Sequence, residues 1–303
     1  MFYELSSEDI ESFKYNIFHQ AIPRTASRSL TDNLLKSIPN SMGVLDFPAN
    51  RIANNFSQGI LPPYLPLKLP GEVAKEYSKI RLMNKDKVLY FHGHEVLGIA
   101  EILQLPQLYF TVIRDPINRF LSNFCWLSWN ELGSNVNRGE HLRRYISFFE
   151  HHNFYCYYLS QPRWQFPLSD HFSNIFDITS LRLSDPLACV KKEIKQKFFL
   201  VGTTEKIYET VILLAYMFKL NTLYPIKRDI FTIKGINRES LPEDLLVELQ
   251  EKTYLDNLLF KEVSVMVDIL IKRYGLEDIV QRYKEKCLLE NNKTKYVVLK
   301  MNW

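Results

Sequence analysis

The chain has 303 residues, enough for one large α/β domain or two small ones whose core needs no disulfide bonds. Hydrophobic residues make up 46% of the sequence and charged residues 24%, which excludes an extensively disordered protein. The net charge of +4 suits an anionic ligand but is too small to indicate a nucleic-acid-binding protein.

The cysteines and the N-terminal segment bear on the cellular compartment. Cys125, Cys156, Cys189 and Cys287 are far apart and form no Cys-x-x-Cys pair of the kind found in zinc and redox sites, so we expect reduced thiols. The N-terminal segment carries acidic residues where a secretory signal has basic ones, and no apolar run is long enough for a transmembrane helix. The sequence therefore predicts a soluble cytoplasmic protein without a membrane span.

The first half of the chain alternates short apolar runs with helical patterns. Strands are predicted at Tyr15–Ile22, Val44–Phe47, Lys87–Phe91 and Leu108–Ile113. The last of these is a continuous apolar run, which is typical of a strand buried on both faces of a parallel sheet. Helices are predicted around Leu30 and Leu34 and from Pro116 to Trp129, and the Asn- and Pro-rich stretch from Pro48 to Pro70 predicts a long surface loop.

The second half is mainly helical in pattern. Helices are predicted near 139–160, 186–196, 205–219, 242–250 and 253–274, with a strand at Phe198–Val201. Strands that alternate with helices predict an α/β fold with a mostly parallel sheet covered by helices on both faces. In such a sheet, ligands bind outside the carboxyl ends of the strands. We assign residues 1–283 to this domain and residues 284–303 to a C-terminal tail of unknown role.

The segment between the first predicted strand and its helix reads Pro23-Arg-Thr-Ala-Ser-Arg-Ser29. A helix N-terminus attracts anions through unpaired N–H groups and a partial positive charge, and the hydroxyls and two arginines add further donors. This predicts a phosphate or sulfate site. It is not a Walker A loop, because the pattern G-x-x-x-x-G-K-[ST] is absent. The alternative is a Ser/Thr N-cap with two exposed arginines.

A second polar segment, Arg114-Asp115-Pro116 with Arg119 and Ser122, follows the buried strand directly. Ser122 lies two helical turns after Arg114, so both side chains could face one anionic group. Arg119 could instead pair with Asp115, and we also expect this structural ion pair, which would position the loop while Arg114 binds.

A third segment, His92-Gly93-His94, lies at the end of the third predicted strand. Residues i and i+2 project to one side of a strand, so both imidazoles can meet the same ligand. A histidine is a natural general base near neutral pH. A metal site and two satisfied core histidines are the alternatives, and no third metal ligand has convincing spacing.

In this order and spacing, these segments resemble the motifs of the carbohydrate sulfotransferases that use 3′-phosphoadenosine-5′-phosphosulfate (PAPS), most closely the heparan sulfate and dermatan/chondroitin 2-O-sulfotransferases. Ile22–Leu30 is similar to the family's 5′-phosphosulfate loop, and Val112–Ser122 is similar to its 3′-phosphate motif, R-D-P-x-x-R-x-x-S. Tyr90–His94 is similar to the H-G-H segment that supplies the catalytic base. Phe199–Glu205 resembles a V-G-x-T-E stretch, and the likeness extends from about residue 17 to about residue 274.

The resemblance implies one sulfotransferase domain of P-loop-like fold. It would transfer a sulfuryl group from PAPS to a hydroxyl of a carbohydrate or other acceptor, with no metal. Arg114 and Ser122 would hold the 3′-phosphate, His94 would be the base, His92 would bind or orient the acceptor, and Arg24 would stabilise the leaving phosphate. The 5′-phosphosulfate would be cradled by Arg24, Thr25, Ala26, Ser27, Arg28 and Ser29.

Arg24 departs from the family pattern, which has lysine at this position. Arginine keeps the charge, but its planar head cannot reproduce the point contact of an ammonium group. Two alternatives follow: a nucleotide-binding protein of the same fold with lost or altered catalysis, and an ATP-dependent phosphotransferase. The missing Walker lysine and glycines argue against the phosphotransferase.

Two further hypotheses concern the acceptor and the nucleotide. Phe124, Trp126 and Trp129 could stack on sugar rings, with buried packing as the favoured alternative. The loop near Lys234, Asn237 and Arg238 is predicted to cover the nucleotide.

Overall fold

The computed structural model of the chain describes residues 5–22, 24–45, 70–93, 96–106, 108–132, 138–148, 153–160, 185–226, 238–290 and 299–301. Within these residues, five parallel strands form one sheet flanked by helices, so the fold is α/β. None of the described helices combines the length and the apolarity required to cross a membrane.

The central sheet has the strand order β2-β3-β1-β4-β5, and every neighbouring pair is parallel. A short antiparallel pair, β6 with β7, lies apart from it. The strands are β1 Asn16–Gln20, β2 Ser41–Leu45, β3 Val88–Gly93, β4 Tyr109–Ile113, β5 Phe198–Thr203, β6 Thr222–Leu223 and β7 Leu299–Lys300.

Helices connect the parallel strands and form the C-terminal part of the described chain. The first six are α1 Ser7–Ser12, α2 Ser27–Ser37, α3 Pro70–Met83, α4 Ile99–Ile102, α5 Pro116–Leu132 and α6 Arg138–Phe148. The others are α7 Phe154–Tyr158, α8 Pro186–Lys197, α9 Ile207–Met217, α10 Glu243–Lys252, α11 Tyr254–Arg273 and α12 Glu277–Glu290. A 3₁₀ turn, Arg238–Ser240, precedes α10.

The strand order predicts a crevice between β1 and β4. From β1 the chain moves across the sheet to β2 at one edge, and from β4 it moves to β5 at the other edge. The connections after these two neighbouring strands therefore leave in opposite directions. A parallel sheet opens a ligand-binding crevice at such a point, outside the carboxyl ends of the strands.

Two hydrophobic cores cover the two faces of the sheet. Successive strand side chains point to opposite faces, and all five residues of β4 are buried. Phe110 and Val112 pack in the core that also contains residues of α2, α9 and α12. Tyr109 and Ile113 pack in the other core, with residues of α7, α8 and α11. This explains why β4 reads as an uninterrupted apolar run.

Gly202 allows β5 and α9 to pack closely together. A Cβ atom at this position would lie less than 3.0 Å from three atoms of the Thr210 side chain. The glycine of the V-G-T-T-E stretch is therefore required by packing between strand and helix.

Most predicted strands and helices are present, with three differences. The second strand begins at Ser41, three residues before the predicted Val44, and the helix predicted over 139–160 is instead two helices, α6 and α7. Asn153, which precedes α7, has a φ of 58°, so one continuous helix over this range was wrong. Helices α1, α3, α4 and α12 and the short strands β6 and β7 were not predicted. The stretch from Pro48 to residue 69 lies outside the described residues.

The described residues near the end of the chain pack against the rest of the fold. Helix α12 runs from Glu277 to Glu290, across the proposed boundary at residue 283, and Cys287 is buried in the core beneath it. Leu299 and Lys300 form β7, which pairs with β6.

Candidate functional site

The ends of β1, β3 and β4 are tied together by hydrogen bonds. The backbone N–H of Ala21 donates to the carbonyl oxygen of Gly93 at 2.9 Å, and the Thr111 hydroxyl donates to the carbonyl oxygen of Gln20 at 2.6 Å. The segment that follows β1 therefore lies between the His-Gly-His segment on one side and the Arg-Asp-Pro segment on the other.

The loop at residues 24–26 has an unusual backbone. Arg24 and Ala26 have positive φ angles of 69° and 57°, a region that costs a residue with a side chain about 1–2 kcal/mol. The buried Thr25 holds the loop by donating its hydroxyl to the carbonyl oxygen of Ile22 at 2.9 Å. Helix α2 begins at Ser27, and its N-cap, Ala26, carries no side-chain acceptor for the first-turn N–H groups. The sequence alternative of a Ser/Thr N-cap is not found at this position.

Arg24 connects the first polar segment to the second. Its Nε donates a hydrogen bond to the Ser122 hydroxyl on α5 at 3.2 Å. Two segments separated by almost a hundred residues in the sequence thus meet at the crevice between β1 and β4.

Three arginines of the site interact electrostatically. Burial lowers the pKa of the Arg24 guanidinium, and the positive charges of Arg114 and Arg28 lower it further, whereas Cys125 opposes the shift. Arginine stays protonated in proteins, so the lowered pKa describes a charged guanidinium that is partly removed from water and, to a lesser extent, repelled by two other guanidinium groups. An anion bound among these groups would offset that repulsion.

The Arg-Asp-Pro segment is held by several neighbouring elements. Asp115 caps α5, since its Oδ1 accepts the backbone N–H of Asn118 at 2.8 Å. The backbone N–H of Asp115 itself donates to Glu205 Oε1, at the end of β5, at 3.0 Å. The second carboxylate oxygen of Asp115, Oδ2, lies 3.5 Å from Arg238 Nη1.

Arg119 does not form the expected ion pair with Asp115. Its guanidinium carbon instead lies 3.8 Å above the ring centroid of Phe154 and 5.6 Å from that of Tyr155. Arg119 is buried, and a guanidinium over an aromatic face is a favourable arrangement in such surroundings. The ion pair that Asp115 makes among the described residues is with Arg238.

His92 lies in β3 in register with His19 of β1. The two imidazole rings are in edge contact, with centroids 4.9 Å apart. His19 Nδ1 lies 2.8 Å from the Tyr90 hydroxyl and 3.3 Å from that of Thr31, which is on α2. His94, the predicted base, lies outside the described residues, but it directly follows Gly93, whose carbonyl oxygen bonds the end of β1.

The described residues include only some of those predicted to contact the acceptor or to cover the nucleotide. Phe124 is 3% exposed and its ring centroid is 5.2 Å from that of Tyr145, which agrees with buried packing. The side chains of Trp126 and Trp129, and the residues Lys234 and Asn237, lie outside the described part of the chain. Arg238 lies against Asp115, so the end of that loop contacts the Arg-Asp-Pro segment.

The sequence did not predict the supporting hydrogen bonds of four residues in this region: Tyr155, Tyr158, Glu205 and Asp256. Glu205 accepts the N–H of Asp115, and Asp256 accepts the N–H of Tyr155. The Tyr155 and Tyr158 hydroxyls donate to the carbonyl oxygens of Arg114 and Ala21, respectively. The available signal was the spacing of Tyr155 and Tyr158, which places both on one helical face. That signal was lost because the two tyrosines were assigned to the end of a long helix.

The described parts of the three predicted segments thus meet at the carboxyl ends of β1, β3 and β4. Scanned against models of known protein families, the chain matches none, and no curated protein is significantly similar to it. Any functional conclusion therefore depends on the residues of this site and their geometry.

Proposed function

We propose that the chain is a sulfotransferase that transfers a sulfuryl group from PAPS to a hydroxyl group, with a carbohydrate as the acceptor class. The observation that carries the proposal is the hydrogen bond from Arg24 to Ser122, which joins two arginine-bearing segments at neighbouring strand ends. PAPS carries a phosphate at its 3′ position and a phosphosulfate at its 5′ position. Its recognition therefore requires two anion-binding segments close enough to hold one nucleotide.

The residues present suit such a ligand. Arg24, Arg28 and Arg114 are near enough to one another for their charges to lower the Arg24 pKa. In the proposal, residues 24–29 bind the 5′-phosphosulfate through the loop and the start of α2, and Arg114 with Ser122 binds the 3′-phosphate. The P-loop-like sulfotransferase fold is part of this proposal, and the parallel sheet with its crevice supports it.

The proposed reaction is an in-line transfer. The acceptor oxygen forms a bond to sulfur as the bond between sulfur and the phosphate oxygen breaks, and adenosine 3′,5′-bisphosphate is the second product. His94 takes the proton of the acceptor hydroxyl, and His92 orients the acceptor. Arg24 donates hydrogen bonds to the leaving phosphate, where negative charge develops. Positioning and electrostatics supply most of the acceleration, as in phosphoryl transfer.

The Arg24–Ser122 hydrogen bond also favours a second candidate, a protein that binds the nucleotide with little turnover. With its Nε directed to Ser122, the Arg24 guanidinium contacts the proposed 3′-phosphate segment. A lysine that serves the leaving group needs only a single point contact at the 5′ end. The two candidates share the nucleotide and differ in whether sulfate is transferred.

Calorimetry with two nucleotides tests the proposed binding site. We expect Arg114→Ala to weaken binding of adenosine 3′,5′-bisphosphate by about 10–100-fold, because hydrogen bonds to a charged group are lost. Binding of adenosine 5′-phosphosulfate, which lacks the 3′-phosphate, should change by less than about threefold. Arg143→Ala is the matched control, since Arg143 is exposed and pairs with Asp244 on α10.

Equal losses for both nucleotides in Arg114→Ala would contradict the assigned role. Transfer of labelled sulfate from PAPS to a panel of sugars and polysaccharides then separates the candidates. Transfer supports the sulfotransferase, binding without transfer to any acceptor supports the second candidate, and a preference for ATP with magnesium would refute both.

A further inference from the structure

Helix α7 contacts the polypeptide on both sides of the crevice, although it has only five residues. Its first contact is with the Arg-Asp-Pro segment. The Tyr155 hydroxyl donates to the carbonyl oxygen of Arg114 at 2.8 Å and accepts the backbone N–H of the same residue at 3.0 Å. Tyr155 is fully buried, so one side chain satisfies both backbone groups of Arg114 and fixes the position from which its guanidinium extends.

The second contact is with the end of β1. The Tyr158 hydroxyl donates to the carbonyl oxygen of Ala21 at 3.0 Å and accepts from the Gln20 amide at 3.3 Å. Gln20 is itself fixed, because its Oε1 accepts the backbone N–H of Leu97 at 2.6 Å. Tyr158 therefore holds the chain three residues before Arg24. The spacing of three residues puts the Tyr155 and Tyr158 hydroxyls on one face of the helix.

Helix α7 is anchored by a reciprocal exchange of caps with α11. The Asp256 carboxylate accepts the backbone N–H groups of Tyr155 at 2.9 Å and Cys156 at 3.0 Å. In return, Asn153 Oδ1 accepts the N–H groups of Leu255 at 2.7 Å and Asp256 at 3.3 Å. A helix this short is unstable in isolation, so these contacts and the Arg119 stack on Phe154 keep it in place.

We propose that α7 is a positioning element that sets the separation of the two anion-binding segments, with Tyr155 positioning Arg114 and Tyr158 positioning the loop that carries Arg24. This inference rests on the proposed function, because the ligand is taken to be a nucleotide with phosphate groups at both ends. The helix then determines the preference for a nucleotide phosphorylated at the 3′ position, without touching the nucleotide itself.

Substitution of each tyrosine by phenylalanine tests the proposal, because the buried ring is kept and only the hydroxyl is removed. We expect Tyr155→Phe to weaken adenosine 3′,5′-bisphosphate binding about tenfold while adenosine 5′-phosphosulfate binding stays within about twofold. Tyr158→Phe should weaken both nucleotides by similar factors, since both share the 5′ end. Tyr157→Phe is the matched control, because it lies on the same helix and its hydroxyl makes no hydrogen bond to another described residue.

A purely structural role for the tyrosines predicts a different result. Both variants would then lower the melting temperature and weaken the two nucleotides in parallel, leaving the 3′-phosphate preference at its original value. That outcome in Tyr155→Phe would overturn the proposal. If Tyr155→Phe does not fold, Tyr158→Phe still tests its own half of the proposal, because a loss confined to the 3′-phosphorylated nucleotide in that variant would refute the assignment of Tyr158 to the 5′ end.

Amide hydrogen exchange of the nucleotide-free protein separates this proposal from the proposed function. Tyr155→Phe should accelerate exchange of the Arg114 amide at least about tenfold. Tyr158→Phe should do the same for the Leu97 amide, because its acceptor, the Gln20 side chain, loses the hydrogen bond to the Tyr158 hydroxyl. Unchanged exchange at both amides would refute the positioning role whatever the ligand is. Wild-type protein that binds neither nucleotide would refute the proposed function, while the exchange rates still decide whether α7 positions the two segments.

Discussion

At the scale of single residues, Arg24 combines a left-handed backbone with a hydrogen bond to the far side of the crevice. A residue with a side chain adopts this backbone only where the surroundings enforce it. Here the enforcing contacts are those of Thr25 with Ile22 and of Arg24 itself with Ser122. An anion bound beside Arg24 would offset the repulsion from Arg28 and Arg114, which is what the proposed nucleotide site requires.

Arg24→Lys distinguishes the two roles of this side chain. A lysine has its only nitrogen at the end of the chain, so it cannot keep the Nε bond to Ser122. We expect binding of adenosine 3′,5′-bisphosphate to weaken by about 3–10-fold, while kcat for sulfate transfer is kept or increased. Calorimetry and a transfer assay measure the two quantities. A kcat reduced more than about tenfold would show that the guanidinium itself is needed at the leaving group.

His94→Ala tests the proposed base. Loss of a general base lowers turnover by about 10²–10⁴-fold, and nucleotide binding should stay within about twofold because the base contacts the acceptor. His141→Ala, on α6, serves as the control for removal of an imidazole. Unchanged turnover in His94→Ala would remove this residue from the mechanism.

At the scale of the elements, the cap exchange between α7 and α11 shows where sequence patterns stop being informative. The pattern near 139–160 is compatible with one helix. The chain forms two helices instead, with Asn153 between them, and the Asn153 side chain caps α11, about a hundred residues later in the chain. The motifs around Arg24 and Arg114 were predictable because their spacing is local, whereas the supporting roles of Tyr155 and Asp256 exist only after the chain has folded.

Asp256 gives this cap exchange a pH dependence. Burial raises the pKa of its carboxyl to about 6, above the ordinary aspartate value of about 4, against the opposing effects of the two N–H groups and of Arg119. Because the folded pKa lies above the unfolded one, the folded state holds the proton more tightly. The resulting stabilisation is present below about pH 4 and is lost as the pH rises through about 6, a change on the order of 3 kcal/mol.

Asp256→Asn should remove this dependence. The amide cannot accept both N–H groups, which adds a penalty that does not vary with pH. We therefore expect the stability of wild type, relative to the variant, to fall between about pH 4 and about pH 7 in urea unfolding. Asp268→Asn is the control, since Asp268 lies on the same helix and is 62% exposed. Parallel pH curves for wild type and Asp256→Asn would contradict the raised pKa.

At the scale of the whole molecule, the sequence predicted the α/β class, the position of β4 and the placement of polar segments after strands. It did not predict the strand order, because which strands become neighbours depends on pairing between distant segments. The early start of β2 was missed because Ser41, Met42 and Gly43 do not form a strand-like pattern. The crevice between β1 and β4 follows from that order, so its location was only available from the structure.

Ligand binding should stabilise the fold as a unit, since the proposed site joins segments from the first and second quarters of the chain. At a hundredfold excess over its dissociation constant, adenosine 3′,5′-bisphosphate should raise the free energy of unfolding by about 2.7 kcal/mol. The melting temperature should rise accordingly, and the rise should shrink at high salt. An equal rise with ATP and magnesium would argue for a phosphotransferase.

The pairing of β6 with β7 has a practical consequence for expression of shortened forms. The N–H of Met301 donates to the carbonyl oxygen of Asn221 at 2.9 Å, and Tyr283 on α12 bonds both Tyr224 and Ile226. A fragment cut at residue 283 would strip β6 of its partner strand and uncover the core around Cys287. Truncations designed for crystallisation or ligand screening should therefore retain the chain through Met301.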